Sequence, residues 1–412
     1  MVFIMLSKLK SHHQILISMI AGYIVGYSFD FSKIFIPLGD IFIRLLKMII
    51  VPIIFTSIVS GVSSVSKSQN IKVLGLKTIL YYMSTSLIAI VLGLILTNTI
   101  KPGVGFSINS SSVQAKELLE APAGILDMIY RIIPLNPIES LAKGDILSII
   151  FFSILFGFSI TRIPSDYKNR LNSFISALHE AIMYLTGMII KLAPIGVFGL
   201  IIKAVHHSSS NIIPSIGLYM ITILAGLIIH LLIILPLIFW FFTKISPKKH
   251  YKAMSKAMLT AFSTSSSSAT LPVTMNCVRE NVKVSKTTSS FVLPLGSTIN
   301  MDGTALYECA GVLFISQAIG IELGMFEQFT VVFTALLASI GAAGIPSAGL
   351  VMIFIVLKSV GLSEHPQVGI LVGTMLAVDR PLDMLRTMVN VTSDSIGAAI
   401  IGKSEGDKLY EN

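Results

Sequence analysis

Three uncharged apolar runs constrain this chain more than any other feature: residues 78–100, residues 211–243 with His230 inside, and residues 328–357. A helix needs about 20 apolar residues to cross the hydrocarbon core of a bilayer, and each run reaches that length. Spanning segments must satisfy their own backbone, so they fold as helices or closed barrels. The sequence lacks the ten-residue alternating segments of a barrel, which leaves an all-α polytopic membrane protein. Composition agrees: 53% of the 412 residues are hydrophobic and 12% charged, against roughly 25% charged in soluble domains.

The net charge of +9 marks topology and not a nucleic-acid footprint. Basic residues gather in alternate connections: Lys67, Lys72 and Lys77, then Arg162, Lys168 and Arg170, then Lys244, Lys248, Lys249, Lys252 and Lys256. With Lys8 and Lys10 ahead of the first apolar run, the positive-inside rule puts the N-terminus in the cytoplasm and, by even span count, the C-terminus too. That first run lacks a small-x-small cleavage site and reads as a span, not a signal peptide. Cys277 and Cys309 offer neither a disulfide framework nor metal-ligand spacing.

Conventional spans are expected near 14–33, 37–64, 74–101, 123–161, 170–202 and 211–243. Beyond residue 245 the pattern changes. Segment 258–278 holds no charge but has basic residues on both sides, and segment 328–357 has few on either side. Each has a helix-breaking centre, the hydroxyl run 263–268 in one and "GAAGIPSAG" (341–349) in the other. Two re-entrant hairpins entering from opposite sides account for both patterns. Each is followed by a polar helix, "NMDGTALYE" and "DRPLDMLRTMVNVTSD". A broken-helix unit used twice with opposite entry is the sequence pointer to a secondary-transporter site, for which the general rule already cites archaeal examples.

In the last helix Asp379, Asp383, Arg386, Asn390 and Asp394 are spaced four, three, four and four. At 3.6 residues per turn they share an arc of roughly 80°. Charges at membrane depth are costly and mark function or mutual pairing. Asn300 and Asp302, two apart, point to opposite sides of an intact helix. They can serve one ion only if the helix unwinds, which Gly303 makes easier. The freed carbonyls, with a carboxylate and an amide oxygen, suit a hard cation such as Na⁺. A protease is excluded: no His lies between His250 and His365 to activate a nucleophile in 263–268. The chain is not expected to be an enzyme.

"SSSSATLP", "NMDGTALYE", "AAGIPSAG" and "DMLRTMVNVTSD", in that order, resemble the excitatory amino acid transporter family of sodium/dicarboxylate symporters, over essentially the whole chain. The resemblance implies eight transmembrane helices plus two re-entrant helical hairpins, inverted repeats and an elevator-type mechanism in a homotrimer. Residues 1–243 would be mostly scaffold, with the third span contributing to the transport core; 244–403 would be the transport domain and 404–412 a cytoplasmic tail. The expected setting is a cell membrane, the bacterial inner membrane. The expected activity is Na⁺-coupled uptake of L-glutamate or L-aspartate with H⁺ co-transport as an added expectation; a C4-dicarboxylate or proton-coupled glutamate symporter stays open. No prosthetic cofactor is expected.

By the same resemblance Arg386 pairs with the substrate's side-chain carboxylate and Asp383 with its ammonium. Thr304, Thr387 and Asn390 are neighbouring contacts. Ser266, Ser267 and Ser268 form the first hairpin tip, which takes the α-carboxylate, and Gly344, Ile345, Pro346 and Ser347 form the second, the gate. One sodium site is implied at Gly296, Asn300, Asn390 and Asp394, and another at Thr298, Ser339, Ile340 and Ala342. A third falls at Tyr82, Thr85, Ser86, Asn300 and Asp302. Glu308 stands where animal members carry a proton-bearing glutamate. Two departures stand out: Ser265 replaces an arginine of archaeal members, and Met384 replaces one of animal members, leaving Arg380 as the nearby charge-balancing residue.

Overall fold

The apolar runs fold as helices. The computed structural model describes residues 11–63, 69–105, 133–207, 212–341 and 348–411, and among these there is no strand. Helix α1 (Ser11–Ser28) leads through a 3₁₀ turn into α2 (Ile36–Ser63), followed by α3 (Gln69–Ile100). Then come α4 (Pro137–Lys143), α5 (Ile146–Ile160), α6 (Ser165–Lys191) and α7 (Ala193–His207). The expected span at 170–202 is thus divided: α6 ends at Lys191, and Pro194, which cannot donate to the preceding turn, lies in the first turn of α7. Helices 32–63, 73–100, 165–191 and 216–243 are long and apolar enough to cross a membrane.

Helix α8 (Ile212–Ile229) continues through a π turn, His230–Ile234, into α9 (Leu235–Thr243). The π turn sits just before Pro236, whose missing N–H interrupts the ladder, and His230 there is wholly buried. Two helical hairpins follow where the sequence places them. The first pairs α10 (Pro247–Thr264) with α11 (Ser267–Cys277), and α12 (Lys286–Ile299) and α13 (Asp302–Ala318) come next. The second pairs α14 (Met325–Gly341) with α15 (Ala348–Ser359), before the long α16 (Val368–Ser404). Its expected tip, Ala342 and Gly344 to Ser347, lies outside the described residues, as does the start of the expected span at 123–161.

Packing gathers into two groups, which meet where α16 lies against α7 and where α14 and α15 lie against α2. Helix α1 lies along α7, and α2 lies along α5, α6 and α7. Helix α13 runs beside α3 and is flanked by α14, α15 and α16, while α16 touches α8, α10 and α12. Residues 302–316 of α13 are buried without exception, so this helix is the axis of the second group. A helix apolar on all sides belongs in a core, yet α13 carries Asp302, Thr304, Tyr307 and Glu308. The site is built around those exceptions.

Candidate substrate and cation site

The helix breaks where Asn300 and Asp302 require it. Helix α12 ends at Ile299; Asn300 (φ −94°, ψ 92°) and Met301 (φ −122°, ψ 54°) are non-helical, and α13 restarts at Asp302. Gly303 lies beyond the break and does something else. A Cβ there would sit 2.8 Å from the Arg386 carbonyl oxygen and 2.9 Å from its Cα, and the Gly303 amide donates to Asn390 Oδ1 at 2.8 Å. Gly303 therefore lets the backbones of α13 and α16 touch. Gly303→Ala presses on backbone, which cannot swing away, and overpacking costs about 1–3 kcal/mol or more. A clear fall in the thermal unfolding midpoint of the purified protein is the expected outcome.

Around the break, oxygens converge from three helices. Asp302 Oδ1 accepts from Ser86 Oγ (2.7 Å) and Thr85 Oγ1 (3.2 Å), and Thr85 also reaches Asn300 Oδ1 (3.4 Å). Asn300 Nδ2 donates to Asp394 Oδ1 (2.9 Å) and Ser393 Oγ (3.0 Å). Asp302 and Asp394, both buried, are thus linked through one asparagine. The Tyr82 hydroxyl turns away from this set and donates to the Val292 carbonyl (2.8 Å), yet it borders Gly296. A Cβ at Gly296 would lie 2.4 Å from both the Tyr82 hydroxyl and Asp394 Oδ1, so only glycine lets the acid approach the α12 backbone. Among the described residues no group of three His, Cys, Asp or Glu is placed to hold a metal. Hydroxyl, amide and carboxylate oxygens are the donors hard cations take, and a sodium ion would enter here as cargo.

The second sodium set is less assembled. Thr298 and Ser339 bond back to their own helices, to the Leu295 (3.0 Å) and Leu336 (2.8 Å) carbonyls. Ile340 is the penultimate residue of α14, and Ala342 lies outside the described residues.

About two turns before Asp394 on α16 sits Arg386, 1% exposed. Its Nη2 donates to Asp379 Oδ1 (2.9 Å) and Asp383 Oδ1 (2.8 Å), and its guanidinium carbon lies 3.8 Å from the Tyr307 ring centroid. Its Nε and Nη1 have no hydrogen-bond partner among the described residues. Half of a planar fork suited to a carboxylate is therefore unused by the described residues. Gly349, early in α15, covers it: a Cβ there would lie 2.6 Å from Nη1 and 3.3 Å from Thr304 and Tyr307. Asn390 Nδ2 reaches Thr304 Oγ1 (3.3 Å), and the Thr387 hydroxyl bonds back to the Asp383 carbonyl (2.9 Å). Arg386 is thus joined to Asp383, and Asn390 to Thr304, while Thr387 bonds within α16.

The hydroxyl run forms the tip of the first hairpin. Ser265 caps α10 in the left-handed region (φ 51°), a conformation costing about 1–2 kcal/mol outside glycine, and Ser266 caps α11 by accepting from the Ala269 amide (3.2 Å). Ser267 and Ser268 open α11, whose first-turn amides have no intrahelical partner. Glu308, one residue past Tyr307, is wholly buried, and neither carboxyl oxygen has a partner among the described residues.

Two participants escape sequence reasoning. His230 Nε2 lies 3.2 Å from Asp302 Oδ2, and its signal was its isolation in an otherwise apolar run. Tyr307 lies under Arg386, and its signal was its spacing of three and four from Thr304 and Gly303 on one helix face.

Buried carboxylates on a broken helix, an arginine half satisfied, and paired hairpins within apolar helices define a multi-pass membrane protein of the transporter class. Residues 12–404 match the sodium:dicarboxylate symporter family, and the chain belongs to that family. Excitatory amino acid transporter 3 of Mus musculus is 36% identical over 423 residues, covering 90% of this chain and 80% of the relative. Excitatory amino acid transporter 1 of Ambystoma tigrinum is 34% identical (93% and 81% covered), and an excitatory amino acid transporter of Caenorhabditis elegans 34% (88% and 80%).

Proposed function

We propose that the protein is a secondary symporter that takes up L-aspartate or L-glutamate with Na⁺. The observation that carries this reading is the buried Arg386 fork, with Nε and Nη1 unused, beside a carboxylate–amide–hydroxyl cluster that suits sodium. The substrate's side-chain carboxylate takes the free donors of Arg386. Its ammonium takes Asp383, which gives up part of its bond to Arg386. Its α-carboxylate meets the Ser266–Ser268 tip, where helix-terminal N–H groups favour an anion. Sodium bound by Asp302, Asn300 and Asp394 offsets their charge. The ions raise substrate affinity only so far as they favour the closed state over the open one. The second hairpin, with Gly344, Ile345, Pro346 and Ser347 at its tip, acts as the gate.

In this reading α10–α16 move as a unit with α3, against a trimer-forming scaffold of the earlier spans. The α8–α9 span, through His230 on Asp302 and Tyr219 with its ring centroid 6.4 Å from that of Tyr307 at a 55° tilt, travels with the moving part. Uptake of labelled aspartate and glutamate into proteoliposomes tests the reading. An inward Na⁺ gradient should drive it, and excess unlabelled acidic amino acid, but not succinate, should block it. Accumulation of succinate instead would remove Asp383 from the ammonium role.

Glu308 is the carrier of a co-transported proton in this scheme. Burial without a donor disfavours an ionised carboxylate, so the site accommodates the neutral acid, and the proton leaves when the site opens. In the wild type an inward proton gradient should accelerate Na⁺-driven uptake; in Glu308→Gln that acceleration should vanish while uptake persists. Unchanged pH dependence in the variant would end this assignment.

A further inference from the structure

Away from that site, a cavity of about 520 Å³ lies between α2, α7 and the α15–α16 connection. Three cations line it, Arg44 and Lys47 of α2 and Lys203 of α7, against two acids, Asp40 and Glu364. Both acids are engaged. Lys203 Nζ lies 2.7 Å from Asp40 Oδ1, and Lys47 Nζ donates to Glu364 Oε1 and to the Ser363 carbonyl, each at 3.1 Å. Desolvation opposes ionisation of Glu364, but hydrogen bonds from Lys47 and Ser363 outweigh it and hold the carboxyl below its usual range. Partial burial holds His365 below the usual imidazole range, so at neutral pH it adds no charge. Arg44 is left over, with no hydrogen bond or ion pair to any described residue.

Its position matters as much as its charge. Leu38, Ile41 and Met48 are exposed along one face of α2. At 100° per residue they fall within roughly 80° of one another, with Arg44 at the edge beside Asp40 and Lys47. Arg44 is therefore the cation at the seam between an exposed apolar stripe and a charged cavity. It lies eight residues past the start of α2 at Ile36, about 12 Å along the axis. A long cationic side chain at that depth extends toward the headgroup layer. A guanidinium with no partner among the described residues is available to an anion, and a bilayer supplies one.

We propose that Arg44, with Lys47 and Lys203 behind it, forms a binding site for the phosphate of an anionic phospholipid, its acyl chains lying along Leu38, Ile41 and Met48. Each ion pair at the cavity keeps one acid neutralised, so the site presents one net positive charge to one phosphodiester. The lipid sits where α2 and α7 meet the α15–α16 connection and would favour the state in which they meet.

The test titrates purified protein in neutral detergent with short-chain phosphatidylglycerol, following the thermal unfolding midpoint. Short-chain phosphatidylcholine and inorganic phosphate are parallel arms, with oligomeric state read by light scattering. Phosphatidylglycerol should raise the midpoint saturably. Arg44→Gln should move half-saturation up about tenfold, the loss of one charge-assisted contact, and Arg44→Lys should retain most of the response. The proposal is overturned by an equal response in Arg44→Gln. It is overturned too if inorganic phosphate reproduces the effect, which makes this a site for free anions. If Arg44→Gln dissociates the oligomer without altering the lipid response, the partner of Arg44 is a second copy of this chain and the proposal again fails.

Discussion

Arg386→Ala is expected to reduce uptake of acidic amino acids below about 1% of the wild-type rate, with the protein still inserted and folded. Removing one partner of a buried ion pair costs about 3–5 kcal/mol because the remaining charge is stranded. Here Asp379 is stranded among the described residues, while Asp383 loses its close bond to Nη2 and keeps the longer pair with Arg380 (3.8 Å). The variant also loses the donors that the substrate carboxylate would use. Arg386→Lys separates charge from geometry. A lysine ammonium is a point charge without a planar fork. It cannot hold two carboxylates, lie flat on Tyr307 and still receive a third carboxylate, so it should recover less than about a tenth of the activity. Initial rates in proteoliposomes, normalised to protein recovered in the membrane, measure both. Near-normal uptake by either variant would show that the carboxylate is bound elsewhere.

How far the sequence anticipates this site depends on whether the information is local. The interruption at Asn300 is legible because two polar residues two apart cannot share a helix face, and the helix stops there. The polar face of α16 is legible from spacing alone, since Asp379, Asp383 and Arg386 do bond to one another. The first hairpin follows from a charge-free segment between two basic flanks, and its turn falls on Ser265 and Ser266. Contacts between distant segments are another matter. Nothing near residue 230 says that a π turn will aim His230 at Asp302, which is 72 residues away. The purpose of Gly303 was also hidden. Glycine permits both unwinding and close approach, and only the placement of α16 selects the second. The sodium ligand sets came from resemblance, and Tyr82, whose hydroxyl bonds Val292, shows how such a set can include a residue whose hydroxyl bonds elsewhere.

Asp302→Asn is expected to raise the Na⁺ concentration for half-maximal substrate binding by about tenfold or more, each tenfold being 1.4 kcal/mol. The substitution keeps the shape of the side chain. Ser86 and Thr85 can still donate to its remaining oxygen, so folding should survive. What disappears is a full negative charge buried beside Asn300, two hydroxyls and, through Asn300, Asp394. In a low-dielectric interior that charge is the main attraction for a monovalent cation, and the neutral amide retains only a dipole. Because ion and substrate are linked through one closed state, the loss must appear in both directions. Substrate affinity at low Na⁺ should fall, and the steepness of the Na⁺ dependence should drop by about one ion. At saturating Na⁺ the substrate affinity should return toward wild type, since Arg386 and Asp383 are untouched. Isothermal titration of substrate at a series of Na⁺ concentrations reads affinity and steepness together. An unaltered slope, with affinity lowered equally at every Na⁺ concentration, would mean that Asp302 shapes the substrate pocket through Asn300 and holds no sodium.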